Sequence, residues 1–122
     1  MPRKKLLLVD DSNTVLMTER MILGKTYDLV TAKDGYEAVE KALLEKPDLI
    51  LLDLIMPKMN GFETCKKLRE QAATNAIPII MVTTHSEQEN MQTGFQNGCN
   101  DYVTKPFNGP ELLTKIRSFI GE

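Results

Sequence analysis

The chain has 122 residues, enough for one domain with a single core and too few for a second. Apolar residues make up 42% and charged residues 26%, an ordinary globular composition that argues against disorder. A net charge of −2 gives no reason to expect a nucleic-acid partner. No apolar run reaches the ~20 residues of a membrane helix, and no signal-peptide pattern opens the chain, so a cytoplasmic domain without membrane insertion is expected.

The first apolar run, Leu6 to Val9, follows the basic stretch Arg3-Lys4-Lys5, which reads as a solvated lead-in to a strand. Further runs follow at Tyr27 to Thr31, Leu49 to Leu52, Ile77 to Val82 and Tyr102-Val103. The first, third and fourth are continuously apolar, as strands covered on both faces are. The fifth is short and flanked by polar residues, which predicts an edge strand.

Helix starts are signalled repeatedly between these runs. Asp34-x-x-Glu37, Asn60-x-x-Glu63, Ser86-x-x-Glu89 and Asn108-x-x-Glu111 each have capping-box spacing, and Ser12 caps the remaining helix without the Glu. Leu112, Leu113, Ile116, Phe119 and Ile120 form one apolar helical stripe; Tyr36, Val39, Ala42 and Leu43 form another. Gly24, Gly98 and Gly121 fall where helices would stop. Cys65 and Cys99 lack metal-ligand spacing and read as buried thiols, and the methionines, Met17 and Met21 included, read as core and loop filler. The pattern predicts an α/β domain of (βα)₅ form: a parallel sheet with right-handed crossovers and helices on both faces.

In such a sheet every strand's C-terminal end lies on one edge, where ligands bind. Asp10 and Asp11 follow the first strand, Asp53 the third, Thr83 and Thr84 the fourth, and Lys105-Pro106 the fifth. Two carboxylates about 4 Å apart repel by about 4 kcal/mol at an effective dielectric near 20. Three carboxylates converging on one rim therefore need protons or a hard divalent cation. A carboxylate can be a nucleophile toward a phosphoryl group, while Mg²⁺, a lysine and a hydroxyl offset charge on the phosphoryl oxygens. Asn60 and Gly61, at a helix start beside Asp53, keep the backbone close.

Four segments, "LLLVDDS" (6–12), "DLILLDLIMPKMNG" (48–61), "IPIIMVTTHS" (77–86) and "YVTKPF" (102–107), together resemble the CheY-like receiver domains of two-component response regulators. The resemblance covers essentially the whole chain. It implies a doubly wound, flavodoxin-like five-stranded sheet of order 2-1-3-4-5. By the same resemblance, Asp53 is the phospho-accepting nucleophile, and Mg²⁺ is held directly by Asp11 and Asp53, through a water by Asp10, and by the Ile55 main-chain carbonyl. Thr83 corresponds to the switch hydroxyl, Lys105 to the phosphate-pairing lysine, and Tyr102 to the aromatic whose rotamer follows Thr83. A cis Lys105-Pro106 bond is also implied. Ile55 and His85 occupy positions that tune phosphoryl lifetime in the family; Ile55 has nothing to orient a water, and His85 is read either as a water-orienting group or as merely exposed.

Residues 1–122 are thus expected to form a single stand-alone receiver with no output domain, a monomer or weak dimer. The implied partners are a histidine kinase or phosphotransfer protein as donor and a downstream protein as target, bound through the face made by the fourth helix, fifth strand and fifth helix. Asp101 and Arg117 are candidates to pair across a dimer on that face, although the nearly uncharged stretch from Gln88 to Gln96 favours a hetero-partner. No catalytic turnover is expected beyond self-phosphorylation and autodephosphorylation. Two other readings compete: a receiver-like interaction module that is never phosphorylated, and an aspartate-nucleophile phosphatase of the haloacid dehalogenase kind. The latter needs a D-x-D pair on its first strand, where this chain has Asp10-Asp11-Ser12.

Overall fold

The structure is a computed structural model that describes residues 3–84 and 91–121. Among the described residues five strands, β1 (Lys5–Val9), β2 (Asp28–Ala32), β3 (Leu49–Asp53), β4 (Ile79–Thr84) and β5 (Asp101–Lys105), alternate with five helices. The helices are α1 (Asn13–Leu23), α2 (Gly35–Glu45), α3 (Gly61–Arg69), α4 (Met91–Gln96) and α5 (Gly109–Ile120). All strand pairs are parallel, in the order β2-β1-β3-β4-β5, so the doubly wound architecture expected from the sequence is the one observed.

The continuously apolar strands divide their side chains between two faces by the period of two. Leu7, Val9, Ile50 and Leu52 join one core cluster with Ala38, Ala42, Cys65 and Leu68 of α2 and α3. Leu6, Leu8, Leu49 and Leu51 join the other with Leu16, Leu23, Leu112 and Ile116 of α1 and α5. Burial on both faces explains why neither strand tolerates alternating polarity. The strand β5 lies at the sheet margin, as its polar flanks predict, but it runs Asp101–Lys105 rather than Tyr102-Val103 and is as long as β1, β2 and β3.

The caps act largely as their spacing requires. Ser12, Asp34, Asn60 and Asn108 each accept a hydrogen bond from the backbone N–H three residues on. The reciprocal bond is complete at Asn60 and Glu63; Glu37 instead accepts from the N–H of Lys33, one residue before its cap. The Ser86 cap and His85 lie outside the described residues. Gly24 and Gly121 are the C-caps of α1 and α5, and Gly98 follows α4 with φ of 103°.

Four further sequence expectations need correction. The strand β4 starts at Ile79, two residues later than the apolar run suggests, and β2 runs Asp28–Ala32 rather than Tyr27 to Thr31. Proline has no N–H to give to a ladder; Pro78 contributes only its carbonyl, to the N–H of Ile50, and the Ile79 N–H is met by the Asn100 side chain. On α2 the buried residues are Gly35, Ala38 and Ala42, while Tyr36 and Leu43 are exposed. Small side chains let that helix approach the sheet and α3 closely: a Cβ on Gly35 would lie 2.2 Å from Thr64 Oγ1. Finally, Met56, Met59, Met81 and Met91 are buried, but Met17 and Met21 are exposed on α1. Cys65 and Cys99 are free and buried, with burial pushing the thiols up to about 11 and about 12. Among the described residues no helix is long and apolar enough to cross a membrane.

Candidate functional site at the strand ends

Sheet register places the carboxylates. Val9 pairs with Leu52, so Asp10 and Asp53 continue neighbouring central strands at the same level. Asp53 in turn pairs with Val82, which puts Thr83 one step further along β4. On the other side of β4, Thr83 pairs with Thr104 and Thr84 with Lys105. Residues separated widely in sequence thus meet because parallel strands end together.

Asp10, Asp11 and Asp53 each place one carboxylate oxygen within 4.8 Å of the others. Asp10 and Asp53 are almost fully buried, whereas Asp11 is exposed. The Ser12 N–H donates to Asp10 Oδ1 at 2.9 Å and so fixes that carboxylate in the turn entering α1. Lys105 reaches back from the margin: its Nζ lies 3.3 Å from Asp53 Oδ1 and 3.4 Å from Asp10 Oδ2. Its peptide bond to Pro106 is cis.

One ammonium does not neutralise the group. Burial, and then the charge of Asp10, push Asp53 up to about 6 despite Lys105. Burial also raises Asp10, against the Ser12 hydrogen bond and the Lys105 charge. Burial opposes the charge on Lys105, yet Asp53 and Asp10 outweigh it and hold its ammonium above the ordinary range. The pocket therefore carries more negative charge than its single lysine balances, which is the condition for binding a hard cation.

Two orphaned atoms point the same way. Among the described residues, Asp10 Oδ2 accepts no well-formed hydrogen bond and has the Lys105 ammonium as its one neighbouring cation, and Thr83 Oγ1 has no hydrogen-bond partner though Thr83 is fully buried. Buried polar atoms without partners are uncommon and ask for a ligand or water. An all-oxygen donor set of carboxylates fits Mg²⁺ chemistry and lacks the nitrogen or sulfur ligands of a zinc site.

Gly61 keeps the backbone behind Asp53 open. Its N–H donates to the Leu54 carbonyl at 2.8 Å, and a Cβ there would lie 2.6 Å from the Asp53 carbonyl oxygen. Ile55 follows in the loop with its side chain exposed. Tyr102 is half-buried on β5, edge-to-face with Phe95 at 6.5 Å between centroids. The Lys115 ammonium lies 5.2 Å from the Tyr102 ring centroid and donates to the Tyr102 carbonyl at 2.7 Å. Lys115 also forms an ion pair with Asp101 at 3.3 Å within the chain.

Glu19 is a further buried acid, beyond the residues that the strand-end pattern singles out. It is 1% exposed on the inner face of α1, and its ionisation is coupled to Asp10, Lys105 and Asp53. A signal was present: Leu16, Glu19 and Leu23 share the i, i+3, i+7 spacing of a buried stripe.

Comparison with known proteins agrees with this geometry. A family model for the response regulator receiver domain matches residues 6–117. The alkaline phosphatase synthesis transcriptional regulatory protein PhoP of Bacillus subtilis is 41% identical over 118 residues, covering 96% of this chain and 48% of that protein. The chain spans about half the length of the curated relatives it matches first. Among solved structures, the Vibrio cholerae chemotaxis protein CheY4 superposes with a TM-score of 0.90 at 36% identity, covering 96% of this chain and 98% of that one. The receiver domain of the sensor histidine kinase PA1611 of Pseudomonas aeruginosa, which has a magnesium ion coordinated in its active-site cleft, superposes with a TM-score of 0.90 at 30% identity, covering 98% of this chain and 99% of that one. With a family match over nearly its whole length and a strand-end pocket to go with it, this chain belongs to the response regulator receiver domain family of two-component signalling.

Proposed function

We propose that this receiver accepts a phosphoryl group on Asp53 from a histidine kinase or phosphotransfer protein, in a reaction that depends on Mg²⁺. The observation that carries the reading is the buried Asp53 carboxylate with Lys105 Nζ at 3.3 Å and two further carboxylates within 4.8 Å. Asp11 and Asp53 would hold the cation directly, Asp10 through a water, and Ile55 through its carbonyl. Mg²⁺ would supply charge compensation for the phosphoryl oxygens.

The remaining chemistry belongs to the chain itself. An ionised Asp53 oxygen attacks phosphorus in line as the bond to the donor breaks. Lys105 is already placed beside that oxygen and can stay paired as charge passes to the phosphoryl group. Thr83 holds an unused hydroxyl one residue beyond Asp53's register partner and would donate to a phosphoryl oxygen. The modification adds about −1.5 to −2 of charge at the end of a central strand. Movement of Thr83 toward it would let Tyr102 repack and alter the α4–β5–α5 face that a downstream protein binds. The event is one self-modification per donor followed by hydrolysis, not multiple turnover of a substrate.

Intact-mass measurement after incubation with Mg²⁺ and acetyl phosphate tests this. An added phosphoryl mass on the native chain that is missing in Asp53→Asn supports the proposal. No added mass on the native chain, with Mg²⁺ present, overturns it in favour of an interaction module that never carries phosphate.

A further inference from the structure

We infer that Glu19 is a buried, proton-bearing carboxyl electrostatically tied to the strand-end pocket, and that it gives up its proton when a divalent cation binds there. This rests on the proposal that the pocket takes Mg²⁺. Glu19 would not touch the cation; it would act through the charges on Asp10 and Asp53.

The placement argues for a function because it is costly as structure. Glu19, Leu16 and Leu23 are the buried side chains of α1, and the two leucines belong to an apolar cluster with Leu112 and Ile116 of α5. A leucine at position 19 would extend that cluster. Instead a carboxyl is enclosed at 1% exposure, with Oε1 lacking any hydrogen-bond partner and no ion pair to Glu19 among the described residues. An unpaired ionised carboxylate there would cost several kcal/mol, so the group holds a proton instead.

The charged groups that act on Glu19 come from three strand ends. Asp10 after β1 and Asp53 on β3 disfavour its ionisation, and Lys105 on β5 favours it. From its own helix and from α5 the neighbouring cluster members are apolar. Burial first, then Asp10, raise the Glu19 carboxyl to about 8. A divalent cation seated among Asp10, Asp11 and Asp53 offsets the negative charge that opposes ionisation of Glu19. It therefore favours the carboxylate, and the proton passes to the buffer. By reciprocity, ionising Glu19 strengthens cation binding. A one-unit lowering of the carboxyl's midpoint corresponds to an affinity gain approaching tenfold between about pH 6 and pH 9.

Titration calorimetry of Mg²⁺ binding near pH 8, in two buffers of different ionisation enthalpy, tests this on the native chain and Glu19→Gln. The native chain should release about 0.4 proton more per cation than the variant, which should also lose the pH-dependent gain in affinity. Equal release with intact binding overturns the inference and leaves the cation reading standing. No binding to the native chain overturns the cation reading and this inference with it. A second measurement needs no substitution: the carbon-13 shift of the Glu19 carboxyl is followed against pH with and without Mg²⁺. A midpoint that falls by about one unit with the cation supports the inference, and an unmoved midpoint overturns it.

Discussion

Lys105 stands between two carboxylates of neighbouring strands, 3.3 Å from Asp53 and 3.4 Å from Asp10, and is their one ion-pair partner among the described residues. Replacing it by methionine keeps the apolar stem and deletes the charge. Lys105→Met should raise the Asp53 midpoint above about 6, because the lysine is the largest influence holding it down. Carbon-13 titration of the Asp53 carboxyl reads this directly; an unchanged midpoint would mean that Lys105 does not compensate Asp53.

Asp53 itself sets a pH dependence. Its midpoint is raised from 3.8 to about 6, so its neutral form is the one the metal-free fold prefers. Stability from this group is fully present below about pH 4 and is lost as pH rises through about 6. Asp53→Asn should accordingly be more stable than the native chain at pH 7 without Mg²⁺, by about 1–3 kcal/mol, with the difference fading below about pH 4. Urea denaturation at both pH values measures it.

The Gly61 position should tolerate no side chain. An added Cβ would meet the Asp53 carbonyl oxygen at 2.6 Å and the Leu54 Cα at 2.9 Å, both backbone atoms that cannot swing aside. Gly61→Ala should lower stability by about 2 kcal/mol or more. Thermal melting of the two chains settles the sign, and an equal melting temperature would show that the loop after β3 yields freely.

At the β5 margin, Lys115 and Tyr102 should couple. The ammonium lies 5.2 Å from the ring centroid and is hydrogen-bonded to the same residue's carbonyl. A double-mutant cycle with Lys115→Met and Tyr102→Leu should return about 0.5–1 kcal/mol, weakening as Asp101 competes for the ammonium.

Much of this is legible in the sequence. Continuous apolar runs, capping side chains at fixed offsets and polar residues just past each strand sufficed for the sheet, its helices and the convergence of Asp10, Asp53 and Lys105. Boundaries were less readable: Ile77 looks like strand, but Pro78 cannot donate and the ladder begins after it. Face assignment on α2 failed because residue size, not hydrophobicity, decided what could approach the sheet, so Ala38 is inside and Tyr36 outside. Glu19 escaped for a related reason. A glutamate within a helix reads as solvent-facing, and only its spacing from Leu16 and Leu23 betrays the inward direction.

The β4–β5 ladder carries one more implication. Thr83 and Thr84 are tied to Thr104 and Lys105 by adjacent register pairs, so the pocket's floor and the outer strand share a single row of amide bonds. A displacement of Thr83 need cross only one inter-strand spacing, ~5 Å, to reach the margin, and one of Asp53 need cross two. Such a displacement needs no relay through the hydrophobic interior, and deuterium uptake at the ladder-bonded amides of β5 would gauge it.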